Sequence, residues 1–151
     1  MDTIPPEGGF AMKVRELMTA PTVSVGAGES VEVAARTLAQ YNIGALPVCD
    51  AGGRLCGLVT DRDLVTRCMA TQKPMTTTRI KEVMTCAVEC VSPDTDAAVA
   101  AHLMGRKQIR RPPVVENGQL CGMLALADFA RRDESFPDAA DALGDISENL
   151  R

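Results

Sequence analysis

The sequence predicts a mixed α/β (α+β) protein written as two consecutive β-α-β-β-α repeats. Three observations carry that prediction. First, "KVRELMTAPTVSVGAGESVEVAARTLAQYNIGALPVCDAGGRLCGLVTDRDL", from Lys13, is matched by "RIKEVMTCAVECVSPDTDAAVAAHLMGRKQIRRPPVVENGQLCGMLALADF", from Arg79. Second, Met18/Met84, Val33/Val99, Ile43/Ile109 and Pro47/Pro113 keep one spacing. After one residue is lost in the second turn, Cys56/Cys121, Gly57/Gly122 and Asp63/Asp128 keep a spacing shorter by one. Third, the apolar period inside each copy switches from alternation to helical spacing and back.

The elements follow in order. "TVSV" (Thr22–Val25) and "VECV" (Val88–Val91) alternate apolar and polar residues and read as short strands. Ser30 and Asp96 stand at helix N-cap positions before "VEVAARTLAQY" and "AAVAAHLMGRK". Val31, Ala34, Ala35 and Leu38 form one apolar helix face. "ALPVCD" and "PPVVEN" read as strands closed by Gly-containing turns, and "RLCGLVT" and "QLCGMLA" return from them as hairpin partners. A last helix begins near Asp61 in the first copy and near Leu126 in the second. The resulting boundaries are an extension at 1–12, repeat 1 at 13–72, a break at 73–78, repeat 2 at 79–132 and an acidic tail at 133–151. The break holds Lys73, Pro74 and Thr76–Thr78; the tail contains Pro137 and is expected to form one short helix around Ala139–Leu143.

Composition narrows the function. With 46% hydrophobic and 24% charged residues the chain is that of a soluble globular protein. Aromatic residues make up only 3%, with no Trp, too few for base-stacking platforms, and a net charge of −4 opposes bulk nucleic-acid binding. No apolar run reaches the roughly 18–20 residues a bilayer span needs. "MDTIPPEGGF" lacks a basic segment followed by an apolar core, so the expected location is the cytoplasm, with Cys49, Cys56, Cys68, Cys86, Cys90 and Cys121 reduced. None of these pairs at Cys-x-x-Cys spacing and His102 is the only histidine, so no metal site is expected; the thiols read as small hydrophobes. His102 has no evident Ser or Cys partner, and neither a Walker loop nor a dinucleotide fingerprint is present. No catalytic residue and no enzyme activity are expected.

Over Val14–Arg132 the two copies resemble a tandem pair of CBS domains, a Bateman module. "IGALPV", "VTDRD" and "IRRPPV" are similar to stand-alone bacterial CBS-pair proteins of the hypoxic-response type. The resemblance implies two repeats packed through their sheets with pseudo-twofold symmetry. It further implies clefts for an adenosine nucleotide (AMP, ADP or ATP, or sometimes S-adenosylmethionine), no obligatory cofactor, and pairing into homodimers. In that family pattern each cleft takes a Gly-x-x-Thr/Ser-x-x-Asp corner from one repeat. The opposite wall comes from the first strand and the segment before Pro-Val of the other.

Carried onto this chain, the main cleft would combine Thr60, Asp61 and Asp63 with Thr85, Val88, Arg110 and Arg111. Gly57 would allow close approach of backbone or ligand. Thr60 offers a hydroxyl to a phosphate or ribose oxygen, and Asp63 suits a ribose diol. Alternatively, Thr60 and Asp63 only cap a helix. Arg110 and Arg111, held extended by Pro112 and Pro113, offer planar forks for phosphate, or form a solvated charge pair. A weaker second cleft would combine Asp128 with Thr19, Thr22, Gly44 and Ala45; Ala125 there lacks the hydroxyl. The expected function is a nucleotide sensor that changes shape on binding and signals to an unknown protein partner. A ligand-free dimerisation scaffold, or a metal- or redox-responsive variant using the cysteines, is the alternative.

Overall fold

The computed structural model describes residues 12–132. The remainder of the N-terminal extension, the acidic tail and the short helix expected at Ala139–Leu143 lie outside the described residues.

The described chain divides into two compact units that cut across the sequence repeats. One holds Val23–Val88 and Asn117–Leu120; the other holds the chain up to Thr22, Glu89–Glu116 and the chain from Cys121. The stretch that leads each repeat in sequence therefore belongs to the unit of the other repeat.

The helix α1 (Val14–Leu17) opens the described chain and belongs to the second unit. In the first unit β1 (Val25–Gly26), β2 (Ala45–Cys49) and β3 (Leu55–Thr60) form one sheet in that order. β1 runs parallel to β2, and β2 pairs antiparallel with β3, with Ala45 opposite Thr60 and a bulge at Val48/Cys49. The strand expected over Thr22–Val25 is shorter than its alternation implied, because only Val25 and Gly26 reach the ladder, opposite Val48 and Cys49. Helix α2 (Val31–Tyr41) has the bounds its periodicity gave. Ser30 Oγ accepts from the Val33 N–H at 3.3 Å, and Asn42 closes the helix in the left-handed region.

Val31, Ala34 and Leu38 are buried in a core with Leu46, Val48, Val59, Leu64 and Cys68, while Ala35 is only half-buried. Ile80 and Val83, from the lead of repeat 2, complete that core without exposure. Val31 donates to Thr78 and Ile80 to Glu29, each at 2.8 Å, which stitches the lead segment to the start of α2. After β3 a short helix α3 (Asp61–Asp63) widens into a π-helical turn, Leu64–Met69.

The second unit repeats the plan with fewer ladder bonds. α4 (Ala97–Lys107) again has the expected bounds, β4 (Pro113–Glu116) pairs with β5 (Gln119–Met123), and α5 (Leu126–Arg132) follows. Of the strand expected over Val88–Val91, only Val91 bridges, in parallel to Val114, as Val25 does to Val48 in the first unit. The core gathers Val14 and Leu17 of α1 with Ala97, Ala100, Ala101, Met104, Leu124 and Phe129.

Asp96 occupies the N-cap position of α4, but its side chain makes no cap bond. Its Oδ1 instead accepts from Lys13 Nζ at 2.8 Å, and Arg15 pairs with Asp94 at 2.7 Å. Asp96 gives up the cap because the lead segment runs alongside, with Val14 donating to Thr95 and Ala97 to Met12.

Candidate functional site: two related corners

Each unit has one corner where its last strand becomes a helix. In the first, the Thr60 N–H donates to Asp63 Oδ2 at 2.9 Å and the Asp63 N–H donates to Thr60 Oγ1 at 3.0 Å. This reciprocal box satisfies two backbone donors at the start of the turn. The Thr60 hydroxyl, having accepted one bond, retains its own proton for donation. The Asp61 N–H donates to the Gly44 carbonyl at 3.0 Å, and Ala45 lies opposite Thr60 across the ladder. The Asp61 side chain is turned back onto the Arg62 N–H at 2.8 Å.

The lead segment of repeat 2 edges the same corner. Leu58 and Thr85 exchange backbone bonds of 2.9 and 2.8 Å. A Cβ on Gly57 would stand 2.7 Å from the Thr85 carbonyl and 2.9 Å from Met84 Sδ. Glycine is there because backbone crosses at that point. Thr85 and Val88 are both half-buried, and Val88 lies in the unit of this corner.

Arg67 is a residue that the sequence reading missed. Its Nη1 donates to the Val83 and Met84 carbonyls at 3.1 and 3.3 Å, and its Nε stands 3.8 Å from Asp63 Oδ1. It ties the buried Asp63 to the lead segment. The signal was the Asp63–Arg67 spacing of one helical turn, at which opposite charges meet.

The second corner repeats the backbone bonds of the first and one of its two cap bonds. Asp128 Oδ2 accepts from the Ala125 N–H at 2.8 Å, but Ala125 returns no hydroxyl. The Leu126 N–H donates to the Arg110 carbonyl at 3.3 Å, as Asp61 does to Gly44, and Leu124 donates to Pro112 at 3.1 Å. Thr19 and Met123 exchange bonds of 2.9 and 3.0 Å, matching Thr85 and Leu58. Thr22 is half-buried in the same unit.

These bonds fix neighbours within each unit. Thr85 edges the Thr60 corner and Thr19 the Asp128 corner. Within each repeat the segment before Pro-Val lies beside that repeat's own corner: Gly44–Ala45 with Thr60–Asp61, and Arg110 with Ala125–Leu126. The reason is hairpin register, since the first residue of one antiparallel strand meets the last residue of its partner.

Other candidates stay apart from these corners. His102 is exposed on α4. All six cysteines are free thiols, Cys49 and Cys68 buried and Cys86 exposed. Burial pushes the Cys49 thiol up, partly offset by a bond to Ser24, and burial beside Glu89 raises that of Cys90. Among the described residues no group of three or more His, Cys, Asp or Glu side chains is placed to hold a metal ion.

The CBS domain family model matches residues 14–70 and 80–135. The chain belongs to the CBS domain family. This CBS pair is 39% identical over 137 residues to the uncharacterized protein YlbB of Bacillus subtilis, covering 90% of this chain and 92% of that one. It is 32% identical over 117 residues to Hypoxic response protein 1 of Mycobacterium tuberculosis, covering 78% and 82%. The crystal structure of Hypoxic Response Protein I, with two coordinated zinc ions, matches with a TM-score of 0.74 at 31% identity, over 81% of this chain and 99% of that one. The CBS pair of protein MJ0100, in complex with 5′-methylthioadenosine and S-adenosyl-L-methionine, matches with a TM-score of 0.70 at 27% identity, over 80% and 98%.

Proposed function

We propose that this regulatory CBS pair binds an adenosine-type ligand at the Thr60–Asp63 corner and passes its binding to a protein partner as a change of shape. The observation that carries this reading is the reciprocal Thr60–Asp63 box edged by Thr85. It presents a hydroxyl donor and a buried carboxylate a few ångströms apart on ladder-fixed backbone, a donor–acceptor set suited to a ribose diol. MJ0100, of the same fold and 27% identical, was crystallised with two adenosine-containing ligands. The candidate ligands are AMP, ADP, ATP, S-adenosylmethionine and 5′-methylthioadenosine, and Thr60, Asp63, Thr85, Val88, Gly44 and Ala45 are the residues proposed to receive them. A ligand shifts the shape only by its differential affinity for the two states. A homodimer in the cytoplasm is the proposed working form; no helix among the described residues is long and apolar enough to cross a membrane.

Equilibrium dialysis against each ligand tests the reading. Binding is expected to raise the melting temperature, by the equivalent of about 2.7 kcal/mol at a hundredfold excess over Kd. Thr60→Ala and Asp63→Asn are expected to weaken it. Absence of binding at millimolar ligand, or binding indifferent to both variants, overturns it.

One observation favours a second reading, a ligand-free interaction scaffold. Thr60 and Asp63 satisfy one another without a ligand, and Val65 and Met69 of the following helix are 53% and 59% exposed. On that reading Val65→Ser/Met69→Ser disrupts self-association, whereas Thr60→Ala leaves it unchanged in sedimentation.

A further inference from the structure

The backbone that closes the long helix of each unit is built twice with the same bonds. Asn42 and Gln108, both left-handed, donate to Ala39 and Gly105 at 3.3 Å. Ile43 donates to Leu38 at 3.0 Å and Ile109 to Met104 at 2.9 Å. The next residue accepts from the corner helix, Gly44 from Asp61 and Arg110 from Leu126. The charge is not duplicated. Positions 40–45 read Gln-Tyr-Asn-Ile-Gly-Ala, whereas 106–111 read Arg-Lys-Gln-Ile-Arg-Arg. Arg106 and Lys107 do favour the C-terminal end of α4, but α2 closes with no cation in its last turn. Since the uncharged copy forms the same closure, the fold does not need the four cations.

All four are exposed, and among the described residues no ion pair or side-chain hydrogen bond engages them. No acid interrupts the sequence from 97 to 115. Like charges at this density repel one another, a cost that an acidic occupant relieves.

We infer that this basic face, Arg106–Arg111, is the docking surface of the chain's own acidic tail, residues 133–151. The tail holds Asp133, Glu134, Asp138, Asp141, Asp145 and Glu148 against one cation, Arg151. It also starts close by. α5 begins beside Arg110 through the Leu126 bond and ends at Arg132, and a helix of 7 residues rises only about 10 Å. At about 3.3 Å per extended residue the tail covers several times that distance. Both halves of the pair occur in one copy alone: after the corner helix of repeat 1, residues 70–78 hold Lys73 and no acid.

Tethering favours the tail over a free occupant. A linked segment meets its site at an effective concentration on the order of millimolar. A free polyanion must instead approach a chain of net charge −4. Docked, the tail closes the basic face to anions and acidic partners, and its release opens that face. The contact is independent of the adenosine reading.

Carbodiimide cross-linking of the full chain with peptide mapping tests this, because the reagent joins a lysine amine directly to a carboxylate in contact. Lys107 is expected to be joined to tail carboxylates in preference to the exposed Lys73 and Lys81. That product should fall about fivefold in Arg106→Gln/Arg110→Gln/Arg111→Gln, which keeps Lys107 as the probe. It should also fall at about 1 M salt, where charges act over only about 3 Å. Because the replaced arginines are exposed, an unchanged melting temperature checks that the variant folds. A mixture of isotope-labelled and unlabelled chains assigns each product to one chain or to two. Products within one chain uphold the inference; products only between chains give the face to a second copy's tail and overturn it. Equal yields at Lys73 and Lys81, or yields indifferent to the glutamine variant, overturn it as well.

Heparin affinity is the second measurement. At about 150 mM salt the wild-type chain is expected to pass through. A variant with the six tail acids changed to amides is expected to be retained, and to lose retention once Arg106, Arg110 and Arg111 are also replaced. Retention of the wild type would show the face open to free polyanions and overturn the inference, as would passage of the amide variant.

Discussion

Thr60 and Asp63 each cap the other through a side chain, whereas Asp128 caps the Ala125 N–H and its own N–H bonds the Ala125 carbonyl, no hydroxyl being there. The same turn is thus built twice, with two side-chain bonds in one copy and one in the other. The difference is a single hydroxyl, so its energetic weight is open to measurement.

Thr60→Ala removes one bond of the box and is expected to cost about 1 kcal/mol of stability. Ala125→Thr supplies the missing hydroxyl and is expected to return a smaller amount, about 0.5 kcal/mol. Urea denaturation of the two single variants and of the double variant checks this. A stabilising Thr60→Ala would contradict the box.

Gly57→Ala and Gly122→Ala are expected to be among the most damaging small substitutions in the chain. The added Cβ would stand 2.7 Å from the Thr85 carbonyl in one case and 2.5 Å from the Thr19 carbonyl in the other. Overpacking against backbone costs about 1–3 kcal/mol. Gly28→Ala is the control, with nothing within 4 Å of the new atom. Thermal melts that rank Gly28→Ala with the other two would refute the close crossing.

The lead segment should respond to alkaline pH. Its hydrogen bond to Asp96 raises the Lys13 ammonium above its ordinary value of 10.5, so its contribution is full below that value and is lost as pH rises through the higher folded value. The stability difference between the wild type and Lys13→Met is therefore expected to be constant from pH 7 to about 10 and to shrink above it. Denaturation curves for the pair across that range decide the matter; a difference that grows with pH would reverse the sign. The pair is exposed, so salt should weaken it as well.

Thiol chemistry should follow burial. Cys86 is exposed, while burial raises the Cys49 and Cys90 thiols, leaving less thiolate at a given pH. Alkylation at pH 8 followed by peptide mass mapping is expected to mark Cys86 first and Cys49 and Cys68 last. Early modification of Cys49 would indicate that β2 opens readily.

Much of this architecture was legible in the residues. The bounds of α2 and α4 followed from apolar periodicity flanked by Ser30 and Asp96, and the β2–β3 hairpin from two apolar runs around a Gly-rich turn. What local pattern does not carry is partnership over long separations. Nothing near Asp96 announces that its carboxylate leaves the helix for Lys13. That Ala45 meets Thr60 was readable, because the register of the hairpin requires it. Arg67 was readable too, one helical turn beyond Asp63, yet its bonds to Val83 and Met84 depend on a segment the helix cannot specify.

Val14 and Leu17 fill the core containing Phe129, and Ile80 and Val83 fill the core containing Leu46. The stretch that was duplicated and the stretch that packs together are therefore offset from one another along the chain. Scission at Lys73–Thr78 would yield fragments that each lack part of their own interior and carry the missing piece for the other. Such fragments are expected to recover structure on mixing and to stay unfolded apart, so the covalent link serves mainly to keep complementary pieces at high local concentration.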